Sequence, residues 1–262
     1  MKTVDKTMSL LEFFSVERPE IGLSDLARLS GFDKAATRRF LLALMRHGFV
    51  EQNPSNSKYH LGAGFGRFAR LREATHPLEK IVQGLLDEVS EALGETAHAS
   101  VRAGSTLVSI GASEPQRANR VHVDMTEALP FHATASGTVV LAFSEPAFVD
   151  DYWKKGDFEK YASGTVTDKA GLIKRMAAAC RQGYAVANGS FEDDVIGTAA
   201  PFFDPDGSVR GAIAVAAPAS RMTTEHGRAI IGQVIRAANA VTAALGGAQN
   251  EILVKAERNL AA

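Results

Sequence analysis

The sequence predicts two unlike parts, an N-terminal winged helix-turn-helix and a larger C-terminal α+β domain. Three observations carry this reading. Residues 23–48 spell two short helices around a glycine, and residues 49–61 read as a hairpin with a polar tip. From residue 94 onward, strand-like and helical stretches follow one another through short turns, the pattern of helices packed on a sheet. At 262 residues the chain is long enough for each part to bury its own core.

The first part builds up in order. Val4, Met8, Leu11 and Phe14 or Ser15 suggest a helix that closes the small core. Ser24 is placed to cap a helix over Asp25–Ser30, with Leu26, Ala27 and Leu29 facing inward. Gly31 supplies the turn, and Asp33 caps a second helix over Lys34–His47, stopped by Gly48. In that helix Phe40, Leu41, Leu44 and Met45 recur at core spacing. Lys34, Thr37, Arg38 and Arg39 crowd its first turns, where a recognition helix meets the major groove. The hairpin follows: Phe49-Val-Glu-Gln, a tip of Asn53-Pro-Ser-Asn-Ser, then Lys58-Tyr-His-Leu61. Charge agrees with a nucleic-acid partner. Residues 1–75 hold 12 Lys and Arg against 8 Asp and Glu, whereas the remainder holds 17 against 22.

Beyond Leu61, a short helix around Arg67–Glu73, ended by His76-Pro77, reads as a linker. The predicted boundaries are therefore a DNA-binding domain at 1–62, a linker helix at 63–76, a second domain at 77–246 and a tail at 247–262. In the second domain Leu78–Leu93 is an amphipathic helix stopped by Gly94. Thr96–Val101 and Thr106–Ala112 form a hairpin, Arg120–Val123 a weaker strand, and Ser136–Phe143 a short buried helix. Ala147–Lys154 and Lys169–Arg181 are two further helices. Tyr184–Ala187, Thr198–Phe203 and Val209–Ala217 complete the sheet, the last two joined by the turn Asp204-Pro-Asp-Gly207. A final helix covers Thr224–Leu245.

The composition is that of an ordinary globular protein: 45% hydrophobic, 23% charged, mean hydropathy −0.05. A single cysteine, Cys180, allows no internal disulfide and no multi-cysteine metal site. The N-terminus carries no apolar signal core and no stretch approaches a membrane span, so a cytoplasmic protein without membrane contact is expected. Nothing points to catalysis, a metal or a cofactor. Ser136 lacks the glycine-flanked elbow of a hydrolase nucleophile. His98, His122, His132 and His226 are scattered, and Cys180 sits beside Met176 on an apolar helix face.

Taken together, the two parts resemble the IclR-type bacterial transcription regulators over residues 3–245. The likeness rests on Leu26-Ala-Arg-Leu-Ser-Gly-Phe, Arg39-Phe-Leu-Leu-Ala-Leu, Gly48-Phe-Val-Glu and Tyr59-His-Leu-Gly62 in the first part. In the second it rests on Gly94-Glu-Thr, Leu129-Pro-Phe-His-Ala-Thr-Ala-Ser-Gly137, Arg181-Gln-Gly-Tyr184, Ala199-Ala-Pro-Phe-Phe-Asp204 and Ala217-Pro-Ala-Ser-Arg221. The order and spacing of these segments carry the resemblance. It implies a GAF-like effector-binding domain behind the winged helix, self-association as a dimer or tetramer, an inverted-repeat operator, and control of genes for catabolism of small organic or aromatic acids.

Matched to that family, Lys34, Ala35, Ala36, Thr37, Arg38 and Arg39 start the recognition helix. Arg38 is expected to grip a guanine and Ala35 and Ala36, which replace hydroxyl residues common in the family, to meet thymine methyls. Lys34, Lys58 and Arg46 are expected on phosphates. For the effector, the family's cavity maps to Thr134, Ala135, Ser136 and Gly137, whose N–H groups at a helix start suit a carboxylate, together with Phe191, Asp194, Ala214 and Ala216. Thr138 stands where a lysine is common, the segment Asn188-Gly-Ser-Phe-Glu-Asp-Asp replaces an acidic pair and glycine, and Ala214 and Ala216 replace serines found in relatives that bind small keto acids. These departures imply an apolar cavity suited to an aromatic acid or a hydrophobic amide. The competing reading is a small-molecule-sensing interaction module without specific DNA binding, favoured only by Ala35 and Ala36.

Overall fold

The computed structural model describes residues 2–75, 78–156 and 158–261, and the chain divides at residue 77 into two units, each with its own core. In the smaller unit, α1 (Lys2–Ser9) runs into a 3-10 turn at Leu10–Phe13. Leu10 in that turn is the fully buried residue, while Val4 and Met8 face solvent. The apolar positions of the first helix are thus displaced from the predicted ones, because the chain tightens just where it meets the core. α2 (Leu23–Ser30) starts two residues before the predicted helix, and Ser24 does not cap it; Gly22 is the capping position, with no side-chain bond. The early start follows from Ile21, which pairs with Tyr59 through two backbone bonds of 2.9 Å and delivers the chain to the core. Leu26 and Ala27 are buried, but Leu29 is 37% exposed, a third of a turn off the inward stripe.

After the turn at Gly31, α3 (Lys34–Arg46) packs Leu41 and Leu44 inward. β1 (Val50–Gln52) and β2 (Tyr59–Leu61) then pair antiparallel, Val50 opposite Leu61. α4 (Gly64–Thr75) follows and is helical through the last described residue before the predicted stop, His76-Pro77, which lies outside the described residues. The start of α4 is fastened to the end of α3. Gly64 donates to the Gly48 carbonyl at 2.8 Å, and any Cβ on Gly64 would lie 2.6 Å from that oxygen. Phe49 stacks on Phe68 at 5.6 Å and meets Phe65 at 5.0 Å, so α4 is an extension of the winged helix rather than a loose tether.

The larger unit opens with α5 (Leu78–Leu93), β3 (Thr96–Ala103), β4 (Thr106–Ser113) and the short β5 (Ala128–Leu129). It continues through α6 (Ala135–Phe143), α7 (Pro146–Lys155), α8 (Lys169–Gln182), β6 (Ala185–Asn188), β7 (Val195–Phe203), β8 (Val209–Pro218), α9 (Thr224–Ala244) and α10 (Glu251–Ala261). The sheet is antiparallel in the order β5-β4-β3-β8-β7-β6, so the two halves of the domain join at the β3–β8 pair. α5 and α9 cover one face; α6 packs over β6, β7 and β8 on the other. Two expectations change. Arg120–Val123 is not a strand: Val121 is buried, and its carbonyl accepts from the Thr96 hydroxyl at 2.5 Å, so a side chain satisfies the backbone in place of a ladder. The segment read as a tail contains α10, whose Leu253 is fully buried and whose Glu257 accepts from Asn239 at 2.9 Å.

Candidate functional site

The first candidate site is the exposed face of α3. Asp33 accepts from the Ala36 N–H at 2.8 Å, which fixes the helix start and thereby the direction of its first turn. Lys34, Ala35, Arg38 and Arg39 project to solvent, and the same face continues through Leu42 and Arg46. None of Lys34, Arg38 and Arg39 is paired with an acid among the described residues. Ala36 and Thr37 do not belong to this face. Thr37 is fully buried and its hydroxyl donates to the Asp33 carbonyl at 2.9 Å. Positions 37, 41 and 44 form one stripe at helical spacing, and Leu41 and Leu44 commit that stripe to the core. Lys58 is exposed at the foot of the hairpin tip. That tip is pinned by Glu20, which accepts from Asn53 at 2.9 Å and Asn56 at 2.8 Å; these bonds hold its carboxyl below the ordinary value.

The second candidate site is a cavity on the α6 face of the sheet. It offers about 90 Å³ to the centre of a water molecule, several times the roughly 10–15 Å³ that one water needs. Of the residues expected there, Thr134, Ala135, Ser136, Phe191, Ala214 and Ala216 line it. Register explains the floor: His98 pairs with Ala214, and Ala216 with Gly197, so these residues share one face. A Cβ on Gly197 would meet Ala135 at 3.6 Å, an ordinary contact, so this glycine leaves space at the floor without being sterically required.

Gly137 and Asp194 fall outside the lining. Gly137 lies against Phe131, where a Cβ would stand 2.2 Å from the Phe131 carbonyl oxygen, and its N–H is taken by the Thr134 hydroxyl at 2.9 Å. The donors left at this helix start, among the described residues, are the Ala135 and Ser136 N–H groups. Asp194 points to solvent, and Glu192 contributes to the lining instead.

The other wall is the segment between β4 and β5, supplying Val121, His122, Val123, Asp124 and Glu127. It is held from below. Arg221 bonds Glu95 through Nε at 2.7 Å and Nη2 at 2.5 Å while its Nη1 donates to the Asn119 carbonyl at 2.8 Å. Glu95 is only 1% exposed and has His226 at 3.2 Å, so one buried carboxylate joins the starts of β3 and α9 to this wall. Deep in the cavity, burial pulls the His98 imidazole down from 6.5 to about 4, and its Nδ1 is without a hydrogen-bond partner. Cys180 donates to the Ala142 carbonyl at 3.0 Å and burial pushes its thiol up, the opposite of an activated nucleophile. No helix among the described residues is long and apolar enough to cross a membrane.

Comparison with known proteins settles the family. Residues 3–54 match the IclR helix-turn-helix domain, and residues 74–243 match the bacterial transcriptional regulator IclR C-terminal domain. The chain belongs to the IclR family. A crystal structure of an ICLR-type transcriptional regulator from Silicibacter sp. TM1040 is 41% identical, with a TM-score of 0.89 over 95% of this chain and 98% of that one. The HTH-type transcriptional regulator XynR of Escherichia coli is 26% identical over 246 residues, covering 94% of this chain and 98% of that protein. An IclR homolog from Microbacterium hydrocarbonoxydans, solved with 4-hydroxybenzoate, shares the fold at 22% identity and a TM-score of 0.74, over 93% of this chain and 99% of that one.

Family membership makes the chain a transcription regulator with a DNA-binding helix-turn-helix and a ligand-binding C-terminal domain. The resemblance pointed to the α6 and β8 walls of the cavity and missed the 121–127 wall, His98 and Glu192. Part of that wall, Arg120–Val123, carries a weak strand pattern, and nothing in that pattern ties it to a cavity. His98 carried a signal, being a lone histidine in an otherwise small and apolar strand segment.

Proposed function

We propose that this chain is a ligand-responsive regulator of a catabolic operon, acting in the cytoplasm. Residues 1–62 read an inverted-repeat operator, the helix within 63–76 links, and residues 77–246 sense a small organic effector. The observation that carries the proposal is the unpaired cationic face of α3 in a chain whose other unit encloses a cavity. Arg38 reads a base, and Lys34, Arg39, Arg46 and Lys58 hold phosphates; the former chooses sequence, and the latter position the helix and add affinity without choosing sequence. Ala35 remains available to a thymine methyl, while Ala36 and Thr37 act by packing. With Ala36 buried, half of the argument for a sensor without DNA binding falls away.

Self-association is supported by α4, where Phe65, Phe68 and Leu71 recur three apart and are 37%, 43% and 55% exposed. An isologous pairing of that row between two copies places two winged helices on two half-sites. Effector coupling then requires that the occupied cavity favour one placement of the winged helices, an effect of about 1–3 kcal/mol in typical cases. The Microbacterium relative's complex with 4-hydroxybenzoate supports a carboxylate-bearing ligand for this fold. Selection of bound duplexes from a random pool tests the reading. Enrichment of an inverted repeat is the expected result, and recovery of an unenriched pool overturns it in favour of the sensor module.

A further inference from the structure

The charges around the cavity distinguish its ligand from a simple acid. Its lining holds three carboxylates, Asp124, Glu127 and Glu192, and no lysine or arginine. All three are exposed and therefore stand at the mouth. His122 also reaches the mouth, but Glu114 already engages its Nδ1 at 2.6 Å. Asp124 takes the Thr126 N–H and hydroxyl on one oxygen at 2.7 Å, leaving the other free. Glu127 has no cation to offset its neighbours: burial first, then the charges of Asp124 and Glu192, raise its carboxyl above the ordinary value. A plain anion entering here meets like charge. Phe191 lines the same entrance, with the Tyr161 ring 5.2 Å from its own, and an aromatic face beside carboxylates suits an ammonium group.

The inner end is different in kind. Ala135 and Ser136 present unbonded N–H groups at the start of a nine-residue helix, a favourable place for a carboxylate. Ser136 is 2% exposed and its hydroxyl makes no hydrogen bond among the described residues. The half-buried His98 ring, uncharged at neutral pH, has an inaccessible Nδ1 without a partner and adds a polar contact without adding a cation. Between the two ends the walls are Val121, Leu129, Ala187, Ala214 and Ala216.

We propose that the effector is a small zwitterion, an amino acid or betaine, with its ammonium group at the acidic mouth and its carboxylate at the start of α6. The inference rests on the effector-cavity reading above and adds the second charge. The test is a calorimetric titration of the full chain with butyrate, 2-, 3- and 4-aminobutyrate, glycine betaine, butylammonium, benzoate and 4-(aminomethyl)benzoate. It is repeated on the Glu127→Gln/Glu192→Gln double variant, whose two changes are at exposed positions. At least one zwitterion is expected to bind tenfold or more tightly than its amine-free parent acid. The double variant is expected to erase most of that preference while leaving the parent acid's affinity equal or improved. A parent acid that binds as well as every zwitterion, a preference that survives the double variant, or no binding by any zwitterion overturns the proposal. Operator binding measured on the same preparation separates the failures: a chain that binds its operator and responds to a plain acid refutes the zwitterion alone.

Discussion

His98 makes the cavity's burial measurable. Its imidazole titrates at about 4 in the folded chain against 6.5 when free, and the cause is burial alone. The unfolded chain therefore takes up a proton near pH 6.5 that the folded chain refuses until about pH 4. Stability attributable to this residue is complete above pH 6.5, falls as the pH drops through the window, and is flat again below about 4. A gap of about 2.5 pH units corresponds to about 3 kcal/mol at 1.36 kcal/mol per unit. Replacing His98 with glutamine removes the titration while keeping a polar side chain of similar size. The assay is urea unfolding at pH 7 and pH 4, followed by the fluorescence of Trp153, the single tryptophan, which lies in the larger unit. Wild type is expected to lose about 3 kcal/mol more between the two pH values than His98→Gln, whose other groups titrate alike. Equal losses in the two proteins would refute the burial argument and with it the picture of His98 as a neutral group facing the ligand.

Other outcomes follow from the same structure. Arg38→Ala should cost about 1–3 kcal/mol of affinity per half-site and relax the preference at one base position in each, whereas Lys58→Ala, which removes one phosphate contact per copy, should weaken all duplexes alike and lower the salt slope by about 2; anisotropy titrations against operator and point-substituted duplexes distinguish the two. Thr37→Val should lower stability by about 1 kcal/mol through loss of the bond to Asp33 and leave DNA affinity unchanged, as read by parallel melting and binding curves. Leu253→Ala should destabilise the larger unit by about 2–5 kcal/mol in urea unfolding, an effect no disordered tail would give.

What could be read in the sequence was what is local. Asp33, Gly48 and Gly94 end or start helices through their own chemistry, and each does so in the structure. The sheet strands with β-hairpin turns, such as the one closed by Gly207, were equally legible. The phase of a helix is set by long-range packing, and there the reading slipped. Thr37 was grouped with the cations next to it, although Leu41 and Leu44 claim its stripe for the core. The cavity was half legible, because α6 and β8 carry the family's motifs while the 121–127 wall is irregular and is fixed by Arg221, a hundred residues away. α10 did carry a signal that went unread: Ile252, Leu253 and Ala256 recur at helical spacing just past Gly246 and Gly247.

The central claim is that one chain joins a sequence-reading DNA surface to a ligand cavity, and anisotropy of labelled DNA from upstream of its own gene tests it most directly. In the proposed pairing, two copies presenting Lys34, Arg39, Arg46 and Lys58 would make about eight phosphate contacts, so log affinity should fall with log salt at a slope of about −7. A ligand that binds the cavity should shift the operator affinity about 5–150-fold without changing binding to random duplex. A slope near zero, equal affinity for operator and random DNA, or an operator affinity indifferent to every cavity ligand would contradict the account.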